Sequence, residues 1–130
     1  MAVRFQVSTE IPASREKIYK AWLSGKQHTG MTGGPATASN KIGGTFTAYG
    51  DYISGKNIEL VPFSKIVQSW RTTEFSDDEN DSILEVKLEE KGKQTLVTIT
   101  HSDLPPHGTT YEQGWIDYYF KPMKSYFSKK

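Results

Sequence analysis

The 130-residue chain carries 16 Lys and Arg against 15 Asp and Glu, a formal net charge of +1, which excludes a domain-wide basic footprint for nucleic acid or anionic membrane. It has no Cys, so disulfides, thiolate nucleophiles and cysteine-ligated zinc or iron–sulfur centres are excluded, and no apolar run approaches the roughly 20 residues of a membrane span. Only 35% of the residues are apolar, yet six Phe, three Trp and seven Tyr are among them, so rings must fill much of the core of the single domain expected over residues 1–130.

Met1-Ala2-Val3-Arg4 lacks a signal-peptide apolar core, and a cytoplasmic protein is expected. Val3, Phe5 and Val7 alternate with Arg4, Gln6 and Ser8, the period of a half-buried strand, which Pro12 stops. Ser14 is placed to cap a first helix, with Glu16 at the positive end of the helix dipole. Ile18 and Trp22, and Tyr19 and Leu23, lie four apart and share one apolar face. Ser24-Gly25 is expected to end this helix, with Gly25 as a left-handed cap. Residues 26–41, rich in Gly, Thr, Ser and Ala, read as a loop with room for one short helical turn.

From Gly43-Gly44 onward the pattern is one of strands and short turns. Residues 45–53 form a strand, Ser54-Gly55 a tight turn, and residues 57–61 and 66–75 two more strands. The acidic run Asp77-Asp78-Glu79-Asn80-Asp81 is a solvated hairpin loop. Leu84, Val86 and Leu88 alternate with Glu85, Lys87 and Glu89, and residues 95–101 complete a hairpin after Lys91-Gly92. Connections this short favour an antiparallel meander.

Pro105-Pro106 and Gly108 break the sheet, and a long helix is expected over residues 110–127. At about 100° per residue its apolar arc holds Tyr118, Tyr111, Pro122, Trp115, Tyr126, Tyr119, Glu112, Met123, Ile116, Phe127 and Phe120. An arc of about 200° is wider than a flat layer can cover. The helix therefore needs a curved partner, and the fold expected is α+β, with a twisted antiparallel sheet gripping the last helix.

Four ordered motifs carry a resemblance: Gly43-Gly44-Thr45-Phe46; Tyr52-Ile53-Ser54-Gly55-Lys56-Asn57-Ile58-Glu59-Leu60-Val61-Pro62; Lys65-Ile66-Val67-Gln68-Ser69-Trp70-Arg71; and Gly114-Trp115 followed by Tyr118-Tyr119-Phe120. Together they resemble the activator of heat-shock protein 90 ATPase homologues, C-terminal-domain type, in the START-like helix-grip superfamily (SRPBCC), over nearly the whole chain. The resemblance implies a helix-grip fold, with a cavity between the curved sheet and the long C-terminal helix. It also implies a heat-shock protein 90-type chaperone as a partner. The eukaryotic co-chaperones of the family carry a separate N-terminal domain, for which residues 1–130 leave no room.

Catalytic signals are weak. His28, His101 and His107 have no partner at ligand spacing, and no metal or cofactor is expected; His28 and His107 read as loop residues and His101 as a strand end. No Ser sits in a nucleophile-elbow context, and Gly30, Gly33 and Gly34 match neither a dinucleotide nor a phosphate loop. Arg71, beside an inward Trp70, should point to solvent. Glu112 is the one charge in the apolar arc, and Thr109 three residues before it makes a capping box its expected role.

The interior remains as the candidate site. Phe46, Ala48, Leu60, Trp70, Leu84, Val86, Val97 and Ile99 on the strands are expected to face Trp115, Tyr119 and Met123 on the helix, with strand parity depending on a bulge near Gly50. The function expected is non-enzymatic binding of a hydrophobic or lipid-like small molecule in that cavity. The alternatives are modulation of a chaperone ATPase and a cyclase- or dehydratase-like enzyme.

Overall fold

The computed structural model describes residues 3–128. In chain order it contains β1 (Val3–Ile11), α1 (Arg15–Trp22), α2 (Gly25–Thr32), β2 (Thr45–Ala48), β3 (Ile53–Val61), β4 (Lys65–Thr72), β5 (Ser82–Lys91) and β6 (Gln94–Leu104). A 3₁₀ turn (Pro106–Thr110), α3 (Tyr111–Trp115), a π-helical turn (Ile116–Phe120) and α4 (Lys121–Ser128) follow as one C-terminal helix. Strands β2 to β6 run as a meander and β1 joins its far edge, giving one six-stranded sheet of order β1-β6-β5-β4-β3-β2. All its pairings are antiparallel. The C-terminal helix lies on the inner face, where Trp115 packs against Trp70 and His101. This is the α+β helix-grip fold that the wide apolar arc required. Among the described residues no helix is long and apolar enough to cross a membrane.

Alternation sets which side chains reach the core. On β4 Ile66, Gln68, Trp70 and Thr72 are buried, on β5 Ser82, Leu84, Val86 and Leu88, and on β6 Thr95, Val97, Ile99 and His101. Ser14 caps α1, its hydroxyl accepting the Lys17 N–H at 3.2 Å.

Several local expectations are corrected. Gly25 does not end the first helix: α1 closes at Leu23, and Ser24 caps α2 by accepting the Gln27 N–H at 3.3 Å. The left-handed cap is Gly33, with φ of 85°. A Gly- and Thr-rich segment has poor helix propensity, and burial of His28, Met31 and Thr32 stabilises it instead.

Ser54-Gly55 is likewise no turn. Phe46 pairs with Gly55 and Thr47 with Ser54, inside the β2–β3 ladder, and the reversal occurs at residues 49–52. Glycine at 55 answers a close approach, since a Cβ there would run into the Ser69 carbonyl oxygen and come within 2.7 Å of the Phe46 ring. The β3–β4 bulge lies between Asn57 and Glu59 rather than near Gly50, and it leaves Ile58 exposed.

The C-terminal helix departs from a uniform wheel. Tyr111, Trp115, Tyr119 and Met123 are all buried at steps of four residues, which on a pure α-helix would drift by about 40° per step. The wider π turn takes up that drift. Its cause is Pro122, which has no N–H to give the Tyr118 carbonyl four residues earlier. Tyr118, placed in the apolar arc by the wheel, is 62% exposed.

The capping box does not form. Thr109 lies inside the 3₁₀ turn, the helix starts at Pro106 with Pro105 in the cap position and no side-chain cap, and Glu112 is exposed. Pro at the helix start supplies the needed φ and lacks an N–H that would otherwise want a partner. Arg71 points away from the core as expected but is not freely solvated. It donates to the Ser76 and Glu79 carbonyls and pairs with Asp81 at 2.9 Å, folding the acidic β4–β5 loop around itself.

Candidate functional site

One cleft of about 390 Å³ opens between the sheet and the first half of the C-terminal helix, within the range of about 300–1,000 Å³ usual for small-molecule sites. Tyr49 and Tyr52 come from the β2–β3 reversal, Ile53 from the start of β3, Trp70 from β4 and Glu74 from the segment after it. Thr110, Tyr111, Gly114, Trp115, Tyr118 and Tyr119 come from the helix. Exposed Tyr118 and Glu74 mark the mouth. Gly114 contributes no side chain between Tyr111 and Tyr118, and the nearest atom to a Cβ built there is 3.9 Å away on Tyr118.

The rings of the wall are fixed from behind. Trp115 sits between Tyr119 at 4.6 Å, Trp70 at 5.8 Å and Trp22 at 6.2 Å, measured between ring centroids. Its indole N–H donates to His101 Nδ1 at 3.0 Å. That bond makes Nδ1 an acceptor, so the proton of a neutral His101 is on Nε2 and donates to Ser82 Oγ at 2.8 Å. The Ser82 hydroxyl then donates to the Trp70 carbonyl at 2.7 Å. Burial holds the His101 pKa down, to about 3.

A second chain orients Tyr119. The carbonyl of Trp22 can only accept, so His28 Nδ1, 2.9 Å away, carries the proton, and Nε2 accepts from the Tyr119 hydroxyl at 2.8 Å. Burial lowers the His28 pKa, opposed by its bond to the Trp22 carbonyl, and burial raises that of Tyr119. At the mouth, the Tyr49 hydroxyl donates to the Tyr118 carbonyl at 2.5 Å, the acceptor that Pro122 leaves free. The Tyr52 hydroxyl donates to Glu74 at 3.0 Å, and burial followed by this bond raises the Tyr52 pKa.

Ser82 and His101 have the composition of a nucleophile and its base but not the arrangement. Both are fully buried, and the imidazole donates to the serine rather than accepting from it. His28 lies in a helix rather than a loop, His101 lies within β6 rather than at its end, and His107 lies in the 3₁₀ turn, 3.1 Å from Glu79. Among the described residues no group of three or more His, Asp or Glu is placed to hold a metal ion.

Of the interior residues expected at the site, Trp70, Trp115 and Tyr119 meet in the cleft. Phe46, Ala48, Leu84, Val86, Val97, Ile99 and Met123 lie in the close-packed core beyond it, and Leu60 is half-buried opposite Ile66 at the end of β3. Tyr49, Tyr52 and Glu74 were not expected there. Two tyrosines flanking Gly50 in an otherwise polar reversal were the available signal, since a solvated turn has no use for large rings.

A family profile described as "Activator of Hsp90 ATPase homolog 1-like protein" matches residues 12–128. The chain belongs to that family. It is 27% identical over 114 residues to the human activator of 90 kDa heat shock protein ATPase homolog 1, covering 88% of this chain and 34% of the human protein. It is 32% identical over 97 residues to the Dictyostelium discoideum activator homolog, covering 75% and 22% of the two. The match thus spans only 34% and 22% of these two relatives' length. Among solved structures, an HSP90 activator from Plasmodium falciparum superposes with a TM-score of 0.85 at 20% identity over 94% of each chain. CalU16 from Micromonospora echinospora superposes with a TM-score of 0.80 at 19% identity over 98% of this chain and 77% of its own. At such identities these two share the helix-grip fold with the family member described here.

Proposed function

We propose that this chain is a non-enzymatic binding protein that holds an apolar, ring-bearing small molecule in the cleft beneath the C-terminal helix. The observation that carries the reading is the cleft itself: about 390 Å³ of open space walled by Tyr and Trp rings that buried hydrogen bonds keep from collapsing inward. A wall of rings held by His28 and His101 is pre-organised, which lowers the entropic cost of binding.

The test is a titration of the isotopically labelled chain with a library of apolar aromatic fragments. Shifts are expected to cluster on Trp70, Trp115, Tyr119 and the Gly114 amide. Gly114→Leu places a side chain in the cleft and removes a helix-interior glycine, so it should abolish the shifts while leaving the melting temperature equal or higher. A library that leaves these resonances unmoved sinks the reading.

A second reading is favoured by the names of the relatives: stimulation of a heat-shock protein 90-type ATPase. The chain added to that chaperone from the same organism would raise its ATP turnover, and Gly114→Leu would leave the effect intact if the contact lies outside the cleft. Unchanged turnover at saturating chain removes this reading.

A further inference from the structure

We infer that the cleft selects a ligand carrying a cationic amine or ammonium group on its apolar body, with Glu74 as the counter-charge. The inference rests on the proposal that the cleft binds a small molecule and specifies its chemical class. Glu74 is the one charged residue lining the cleft among those described, and it stands at the mouth. One of its carboxylate oxygens accepts the Tyr52 hydroxyl at 3.0 Å, which orients the group across the opening. Its backbone N–H donates to Thr72 Oγ1 at 3.1 Å, and Thr72 Oγ1 in turn lies 2.6 Å from the Tyr111 hydroxyl, so the segment bearing Glu74 is tied to the helix wall.

Three of the other polar groups on the wall point the same way. The hydroxyl protons of Tyr49 and Tyr119 and the indole N–H of Trp115 are donated to the Tyr118 carbonyl, to His28 and to His101. What these side chains leave for a ligand is lone pairs and ring faces, and both are regions of negative potential. Electron-rich faces of Trp and Tyr around a single carboxylate form an environment that attracts a cation, and an ammonium group is readily accommodated because it makes cation–π contacts without needing a matched acceptor for every proton. An anionic ligand would meet the Glu74 charge with no Lys or Arg among the described residues lining the cleft to offset it.

Three probes of similar bulk test the inference by calorimetry with NMR mapping: naphthylmethyl-trimethylammonium, naphthalenemethanol and naphthalenesulfonate. The ammonium probe is expected to bind roughly tenfold more tightly than the alcohol, and the sulfonate more weakly than either. In Glu74→Gln, where the Tyr52 bond can persist, the ammonium probe should fall to the affinity of the alcohol while the alcohol is unchanged. The ammonium advantage should also shrink with added salt, because the charge stands at an exposed mouth. If the alcohol or sulfonate binds as tightly as the ammonium probe, or if Glu74→Gln keeps the ammonium preference, the cationic class is overturned and the binding cleft stands. If none of the three moves the cleft resonances, the binding cleft and the cationic class fall together.

Discussion

Trp115→Ala is expected to destabilise the chain by about 3–5 kcal/mol, which is the range for truncating a buried Trp and a large part of the stability of a domain this size. Trp115 is 3% exposed and packs on rings from three directions: Trp22 of α1, Trp70 of β4 and Tyr119 of its own helix. Its N–H is also the donor that satisfies His101 Nδ1. Ala therefore opens a cavity and leaves a buried acceptor without a partner. Thermal unfolding should report a Tm lower by about 10 °C or more. Trp115→Phe, which keeps a ring and loses only the donor and some volume, should cost less than half as much. Lys124→Ala, on the exposed side of α4, should change stability by less than about 0.5 kcal/mol. Equal melting temperatures for Trp115→Ala and Lys124→Ala would overturn the orientation of the helix.

Where the chain obeyed a single period, the sequence was enough to read the element. β4, β5 and β6 alternate cleanly because one face is buried and the other wet, and the β5–β6 hairpin closes at Gly92-Lys93, one residue past the expected Lys91-Gly92, since Lys91 still pairs with Gln94. The wide apolar arc of the last helix predicted a curved sheet, because no flat layer could have covered it. The failures share a different cause, which is long-range contact overriding local preference. α2 is helical because His28 and Met31 are buried, although its glycines argue against a helix. Ser54-Gly55 has turn composition, but Gly55 is demanded by a neighbouring strand's carbonyl. The π turn depends on which backbone oxygen Pro122 orphans, and the Tyr49 hydroxyl that takes that oxygen comes from 69 positions earlier in the chain.

The site was harder to read than the fold for the same reason. A cleft is the place where packing stops, and inward parity alone cannot distinguish a residue that fills space from one that borders it. Val86, Val97 and Ile99 point inward and are simply core. Tyr49, Tyr52 and Glu74 belong to reversals and loop segments, where no period reports a direction. The buried polar positions were visible as exceptions to the apolar pattern, with Gln68, Ser82 and His101 all on inward-facing steps of their strands. The pairing of Ser82 with His101 became evident only once the register brought β5 beside β6, and that of Gln68 with Asn57 once it brought β3 beside β4.

Acid should destabilise this chain well above the pH at which carboxylates titrate. His101 is fully buried, and burial alone brings its pKa from 6.5 to about 3. The rings of Phe5, Trp70 and Trp115 surround it, and its hydrogen-bond partners are a hydroxyl and an indole. Protonation would put a second N–H against the Trp115 N–H, donor facing donor, so the folded chain resists the proton that the unfolded chain accepts. His28 is shifted in the same direction. Because the folded pKa is lowered, the unfolded state binds more protons below pH 6.5, and stability is fully present above that pH and lost on descent toward the folded value. Well below pH 6.5 each pH unit costs about 1.4 kcal/mol for a histidine that stays neutral when folded, and about half that near 6.5, so His101 alone should remove about 1.6 kcal/mol between pH 6.5 and 5. Urea unfolding midpoints measured from pH 7.5 down to 5 should fall steadily below 6.5, with His28 adding to the slope. Midpoints that stay flat to pH 5, or His101 ring resonances that titrate near 6.5 in the folded chain, would mean that the imidazole reaches water and that the hydrogen-bond chain from Trp115 through Ser82 does not hold the cleft wall.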